Sequence, residues 1–168
     1  PARAGLSNVL IKQRKADKSG RMDIATDLQR GLEFFGHGEY REAVRVFTLA
    51  AKEGPANSQL FNNLGLCYYR LKEFEKAASN FKKALILDPD YARAHFNLGL
   101  VHLGLGDDTE ALKAFSRAIE LDPDYAKAHY RRGSTLVRLG RRGEADKHWN
   151  YLLAKNTDDE ILRVKIDS

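Results

Sequence analysis

One cysteine, Cys67, is present in 168 residues, so no intrachain disulfide can form. That suits a reducing compartment, and a cytoplasmic location is expected. No apolar run approaches the ~20 residues that cross a bilayer, so no membrane insertion is expected. No signal-type run is visible, but the first residue is Pro1 and not Met, so a removed targeting segment stays open. Phosphate loops, dinucleotide fingerprints and nucleophile motifs are all missing. No enzyme activity and no cofactor are therefore expected. His95, His102 and His129 lack a cysteine or carboxylate at a familiar ligand spacing, so no metal is expected. Even charge is lacking. The net charge is +5, yet residues 1–23 hold six basic and two acidic residues, so the remainder is almost neutral. A basic lead segment is a weaker feature than a basic protein, and it argues against nucleic acid as the partner.

Proline is scarce too, with four residues, and three of them share one phase: Pro55, Pro89 and Pro123. A spacing of 34 residues relates them, and other residues obey it. Glycine recurs at Gly31, Gly65, Gly99 and Gly133. Alanine recurs at Ala43, Ala77, Ala111 and Ala145, and a large aromatic at Phe47, Phe81, Phe115 and Trp149. Ala50, Ala84 and Ala118 recur, with Leu152 in the fourth place. Four segments therefore begin at Ile24, Ser58, Ala92 and Ala126, and this period is that of helix–turn–helix repeats.

The spacing has a physical cause. Two helices approach closely only where side chains are small, and Gly99 and Ala111 supply that gap. Phe115, four residues beyond Ala111, shares its face and fills the space beside it. Gly38, Gly106 and Gly140 follow the first helix of their repeats, where a left-handed residue is commonly needed. Lys72 takes that place in the second repeat, which predicts a less comfortable turn. The prolines end each second helix. Helices are expected at 24–37, 40–53, 58–71, 74–87, 92–105, 108–121, 126–139 and 142–155.

Two stretches carry a family pattern: FxxLGxxYYxLxxFEKAxxxFxxALxLDP from Phe61 and HxxLGxxHLxLGDxxEAxxxFxxAIxLDP from His95. From Ile24 to about Asp159 the chain resembles a tetratricopeptide repeat (TPR) protein. The resemblance implies an all-α fold, a right-handed α-solenoid of tandem helix–turn–helix repeats. Its four repeats would be 24–57, 58–91, 92–125 and 126–159. The first departs from the pattern at Asp27 and Arg30 and the fourth at Arg132, where large apolar residues are usual; end repeats deviate because one face lacks a neighbour. Residues 1–23 are expected to form a basic leader. Leu6, Val9, Leu10 and Ile11 would make a short docking helix there, with Ser7 as its cap. Residues 160–168 are expected to be a tail or short capping helix.

The resemblance also implies where a partner sits. The first helix of each repeat lines a concave side, and the groove positions carry over residue by residue. They give Gln59, Asn62, Asn63, Leu66, Tyr69 and Arg70 in the second repeat. In the third they give Arg93, Phe96, Asn97, Leu100, Leu103 and Gly104. The fourth contributes Lys127, Tyr130, Arg131, Ser134, Val137 and Arg138. The first repeat supplies the more apolar Leu28, Gln29, Leu32 and Phe35. Asn63 and Asn97 hold the same position, and a carboxamide can pair with an extended peptide backbone whatever its side chains. Asn97, Lys127 and Arg131 match three of five positions of the carboxylate clamp in family members that bind acidic chaperone tails; the other two are Asn62 and Leu66 here. The fourth repeat carries eight basic and four acidic residues, the third three basic and six acidic. An acidic peptide near the C-terminal end is the expected protein partner.

The expected function is a non-catalytic interaction module that binds a partner's peptide in the groove. The alternatives are an assembly subunit that self-associates, as a homo-oligomer through residues 1–23, and a regulatory segment of a larger enzyme.

Overall fold

The computed structural model describes residues 24–55 and 57–155. These hold eight helices: α1 Ile24–Gly36, α2 Tyr40–Glu53, α3 Ser58–Arg70, α4 Phe74–Leu87, α5 Ala92–Leu105, α6 Asp108–Leu121, α7 Ala126–Arg138 and α8 Arg142–Lys155. Each lies within one residue of its expected span. Among the described residues there is no strand. The fold class is an all-α helical-repeat solenoid. The leader helix expected at Leu6–Ile11 and the cap expected beyond Asp158 lie outside the described residues.

The chain divides between Pro89 and Asp90 into two compact units. In the first, α1 packs on α2, α2 on α3 and α3 on α4; in the second, α5 packs on α6, α6 on α7 and α7 on α8. Packing between sequence neighbours is how helical repeats hold together, since each touches only the next.

One contact recurs inside every helix pair. The Phe115 ring lies close against the backbone of Gly99, where a Cβ would sit 2.5 Å from a ring carbon. Gly65 meets Phe81 in the same way at 2.6 Å, and Gly31 and Gly133 meet Phe47 and Trp149. Side chains on the first helix would push the pair apart at this point, which is why glycine recurs there. Phe47, Phe81, Phe115, Ala43, Ala77, Ala111 and Ala145 are fully buried. Around them the first unit gathers Phe34, Val46, Leu60, Leu64 and Cys67. The second has two clusters, one on Phe96, Phe115 and Ala128, the other on Leu112, Leu136 and Trp149.

The turns within the helix pairs share one closure. After α5, the Gly106 amide donates to the Leu103 carbonyl and the Asp107 amide to that of His102. After α3, the Lys72 amide donates to Tyr69 and the Glu73 amide to Tyr68. Both bonds require a left-handed residue. Gly106 has φ +84° and Lys72 φ +60°, so the lysine pays the steric cost of a Cβ beside its own carbonyl. Helix α3 has a side-chain N-cap: Asn57 Oδ1 accepts from the amides of Gln59 at 2.8 Å and Leu60 at 3.2 Å.

Two substitutions test this packing by urea denaturation. Lys72→Gly should raise stability by about 0.5–1 kcal/mol, the strain relief less the greater freedom of glycine when unfolded. Gly99→Ala should lower it by about 1–3 kcal/mol, because the Phe115 ring must leave its place. A neutral Gly99→Ala would show that the ring has room to move.

Candidate functional site

The expected groove residues lie on α3 in the first unit and on α5 and α7 in the second. Helical spacing sorts them into two depths. In the first unit Asn62 is buried at 5% exposure, while Asn63 and Leu66 are half-buried. Asn62 is engaged within the protein. Its side chain belongs to the packed interior and is not presented outward as the sequence reading expected.

In the second unit the same sorting applies. Arg93, Lys127 and Arg131 are exposed, and Leu100 and Tyr130 are half-buried. Asn97 is 8% exposed and engaged within the protein. Phe96, expected among the groove positions, is buried instead. It is 7% exposed, and its ring is held between Phe115 at 5.6 Å and Tyr125 at 4.9 Å. The ring is thus part of the cluster that joins α5 to Ala128 of α7. The physical reason is phase: Phe96 lies three residues before Gly99, on the side of α5 that faces its packing partners. Burial also pushes the Tyr125 phenol above its ordinary range.

Electrostatics divide the basic residues further. Arg138 pairs with Asp108 at 3.1 Å and Arg117 with Asp90 at 3.1 Å. Arg141 pairs with Glu144 at 2.6 Å, and Lys155 pairs with Asp124. The Lys155 ammonium and the Tyr151 hydroxyl hold the Asp124 carboxyl below the usual carboxylate range. Arg93, Lys127 and Arg131 form no ion pair with any described residue. The charge contrast between third and fourth repeats is therefore partly spent inside the protein; these three cations remain on α5 and α7, and Arg142 and Lys147 remain exposed and outside any ion pair among the described residues on α8.

Other candidate chemistry has a structural place. Among the described residues no three His, Cys, Asp or Glu side chains come together as a metal site. His129, equivalent in phase to His95, is buried against His148 and the Pro123 carbonyl. Cys67 is fully buried, and desolvation pushes its thiol up to about 12, which leaves it an inert packing group. No described helix is long and apolar enough to cross a membrane. One polar cluster was missed: Arg132, His148, His129 and Ser116, from three helices. The signal for it was Arg132 itself, a charged residue where the repeat pattern puts an apolar one.

A fold of paired helices at this period, with no described catalytic cluster, defines the class of helical-repeat proteins. The tetratricopeptide repeat model matches residues 28–92 and 73–126, and the chain belongs to the tetratricopeptide repeat family. No curated protein matches it. Among solved structures, it is similar to MamA 41-end from Desulfovibrio magneticus RS-1, with 25% identity, a TM-score of 0.74, and coverage of 82% of this chain and 78% of that one. It is similar to YrrB, described as a TPR protein with an unusual peptide-binding site, at 25% identity, TM-score 0.72, and 82% and 71% coverage. The first TPR of Spaghetti (RPAP3), solved with the HSP90 peptide SRMEEVD, is 28% identical with a TM-score of 0.67, covering 70% of this chain and 93% of that one.

The two depths of the site predict opposite mutational behaviour. Phe96→Ala should cost at least about 3 kcal/mol, because it opens a cavity beside Phe115. Arg93→Ala should change stability by no more than about 0.5 kcal/mol. Chemical denaturation of the two variants side by side checks the assignment.

Proposed function

We propose that this protein is a non-catalytic interaction module that takes a peptide segment of a partner protein, and that the segment is acidic. The observation that carries this reading is the trio Arg93, Lys127 and Arg131. They are exposed and engage no carboxylate among the described residues, whereas Arg117, Arg138 and Lys155 are paired with carboxylates. Exposed guanidinium and ammonium groups on one unit suit carboxylates, and a bidentate bond from Arg131 is the strongest contact available to it. Leu100 and Tyr130, half-buried beside them, offer apolar footing for the peptide's side chains. Asn97 stands at the margin of the same face. In the first unit Asn63 and Leu66 are the corresponding half-buried pair.

Peptide-bound relatives support the class of ligand. The carboxylate clamp of the chaperone-binding members is incomplete here, because Leu66 is apolar and Asn62 is buried. The reading is therefore an acidic segment held by three cations and not a dedicated C-terminal tail. SRMEEVD is a useful first probe for that reason.

Fluorescence anisotropy with labelled SRMEEVD, with its amidated form and with acidic peptides selected from a display library tests the proposal. Lys127→Ala with Arg131→Ala should weaken binding of the acidic peptides at least about ten-fold, since each charge-assisted bond is worth roughly 1.5–3 kcal/mol. Affinity should also fall with added salt. Equal affinity for wild type and the double variant would sink the assignment. Preference for the free over the amidated C-terminus would favour tail capture.

A further inference from the structure

The polar cluster between α6, α7 and α8 has a direction built into it. Three hydrogen bonds run in series. Arg132 Nη1 meets His148 Nε2. His148 Nδ1 meets His129 Nδ1 at 3.0 Å, and His129 Nε2 meets the Pro123 carbonyl at 2.9 Å. The two ends settle every proton between them. A guanidinium can only donate and a carbonyl can only accept. His148 therefore accepts at Nε2 and carries its proton on Nδ1. His129 accepts that N–H at Nδ1 and donates from Nε2. Both rings must be neutral, and they must be opposite tautomers. A proton added to His148 Nε2 would face the Arg132 N–H. One added to His129 Nδ1 would face the His148 N–H.

We propose that this relay is an acid-sensitive latch, which holds α8 on α7 and on the Pro123 turn while both rings are neutral and releases α8 when either takes a proton. The surroundings work in the same sense. His129 is 6% exposed and His148 half-buried, so water cannot stabilise a cation there. Arg132 is fixed in place because its Nε donates to Ser116 Oγ at 2.9 Å and that hydroxyl donates to the Leu112 carbonyl at 2.8 Å. Tyr151 of α8 stacks on His129 with centroids 4.3 Å apart, and its one hydroxyl proton is shared between the same Pro123 carbonyl, at 2.9 Å, and Asp124 Oδ1.

Charged groups face the cluster from each side. Arg132 on α7 opposes a charged His148, while Glu144 on α8 favours it. Arg141, in the turn, acts on Arg132 itself. Asp124, in the Pro123 turn, attracts a charged His129 and is itself held by Tyr151 and Lys155 of α8. Burial first, then Arg132 and His129, push the His148 imidazole down to about 4. An unfolded histidine titrates near pH ~6.5. Between those values the unfolded chain binds a proton that the folded chain refuses. Stability is therefore full above about pH 6.5 and is lost as pH falls toward 4.

Nitrogen-15 NMR of the full chain with labelled histidine reads the latch directly. At pH 7.5, His148 should be protonated on Nδ1 and His129 on Nε2, with the His148 ring still neutral at pH 5.5. Thermodynamics gives the second measurement. The folding equilibrium constant should drop on the order of ten-fold from pH 7.5 to 5, and amide exchange in α8 should quicken before that in α7. His148→Phe should remove most of that pH dependence. If that variant does not fold, the tautomers and the titration in the native chain decide alone. Rings with the same tautomer, a His148 that titrates near pH 6.5 in the folded chain, or a His148→Phe variant with unchanged pH dependence would each overturn the latch.

Discussion

The structure depends on one contact, an aromatic ring laid on a glycine backbone between paired helices. A ring at Phe115 needs a neighbour without a Cβ, and Gly99 supplies it. That closeness also demands small residues at Ala111 and Ala118, both fully buried. Dispersion between a ring and a bare backbone is weak per atom and large in sum, and a gap of about 0.5–1 Å forfeits a quarter to a half of it. The 34-residue period is this contact repeated. Because the contact is local to a pair, stability accumulates pair by pair.

The first and fourth repeats depart from the repeat pattern in polar residues. Asp27 is buried at 3% exposure on α1, with Arg30 4.0 Å away. Arg132 and His148 fill corresponding polar roles on α7 and α8. Trp149 replaces phenylalanine on Gly133, and its indole N–H has no hydrogen-bond partner among the described residues. Buried polar groups are costly unless they are joined to one another. The Arg132 network is joined throughout, so its charge and its imidazoles are tolerated inside a helix pair.

Legibility follows the same line. Gly99, Phe115, the helix spans and the strained turn at Lys72 could be read in advance, because each repeats at a fixed interval and each has a single physical cause. Phe96 could not be placed by rule. A groove position and a core position on one helix differ by one residue, about 100° of rotation, and Tyr125 from the following turn decides which side is covered. The His129–His148 pair was illegible for another reason. Its members are nineteen residues apart, and His148 has no counterpart in the other repeats. Period finds what recurs, and this pair occurs once.

Charge shows how composition and site differ. The basic fourth repeat and acidic third repeat look, in sequence, like a uniform gradient that any acidic partner would follow. In the folded chain Arg138 and Lys155 of the fourth repeat reach back to Asp108 and Asp124 of the third. These pairs are mostly exposed and contribute little stability, but they remove cations from the field a partner meets. On the first helices of these two repeats, three exposed cations survive: Arg93 on α5, followed by Lys127 and Arg131 on α7. The last two are one helical turn apart and so point the same way. A partner that needs only net charge would bind at any basic surface and lose affinity smoothly with salt. A partner matched to these three would keep a preference for carboxylate spacing after the long-range field is screened, and that residual preference separates recognition from attraction.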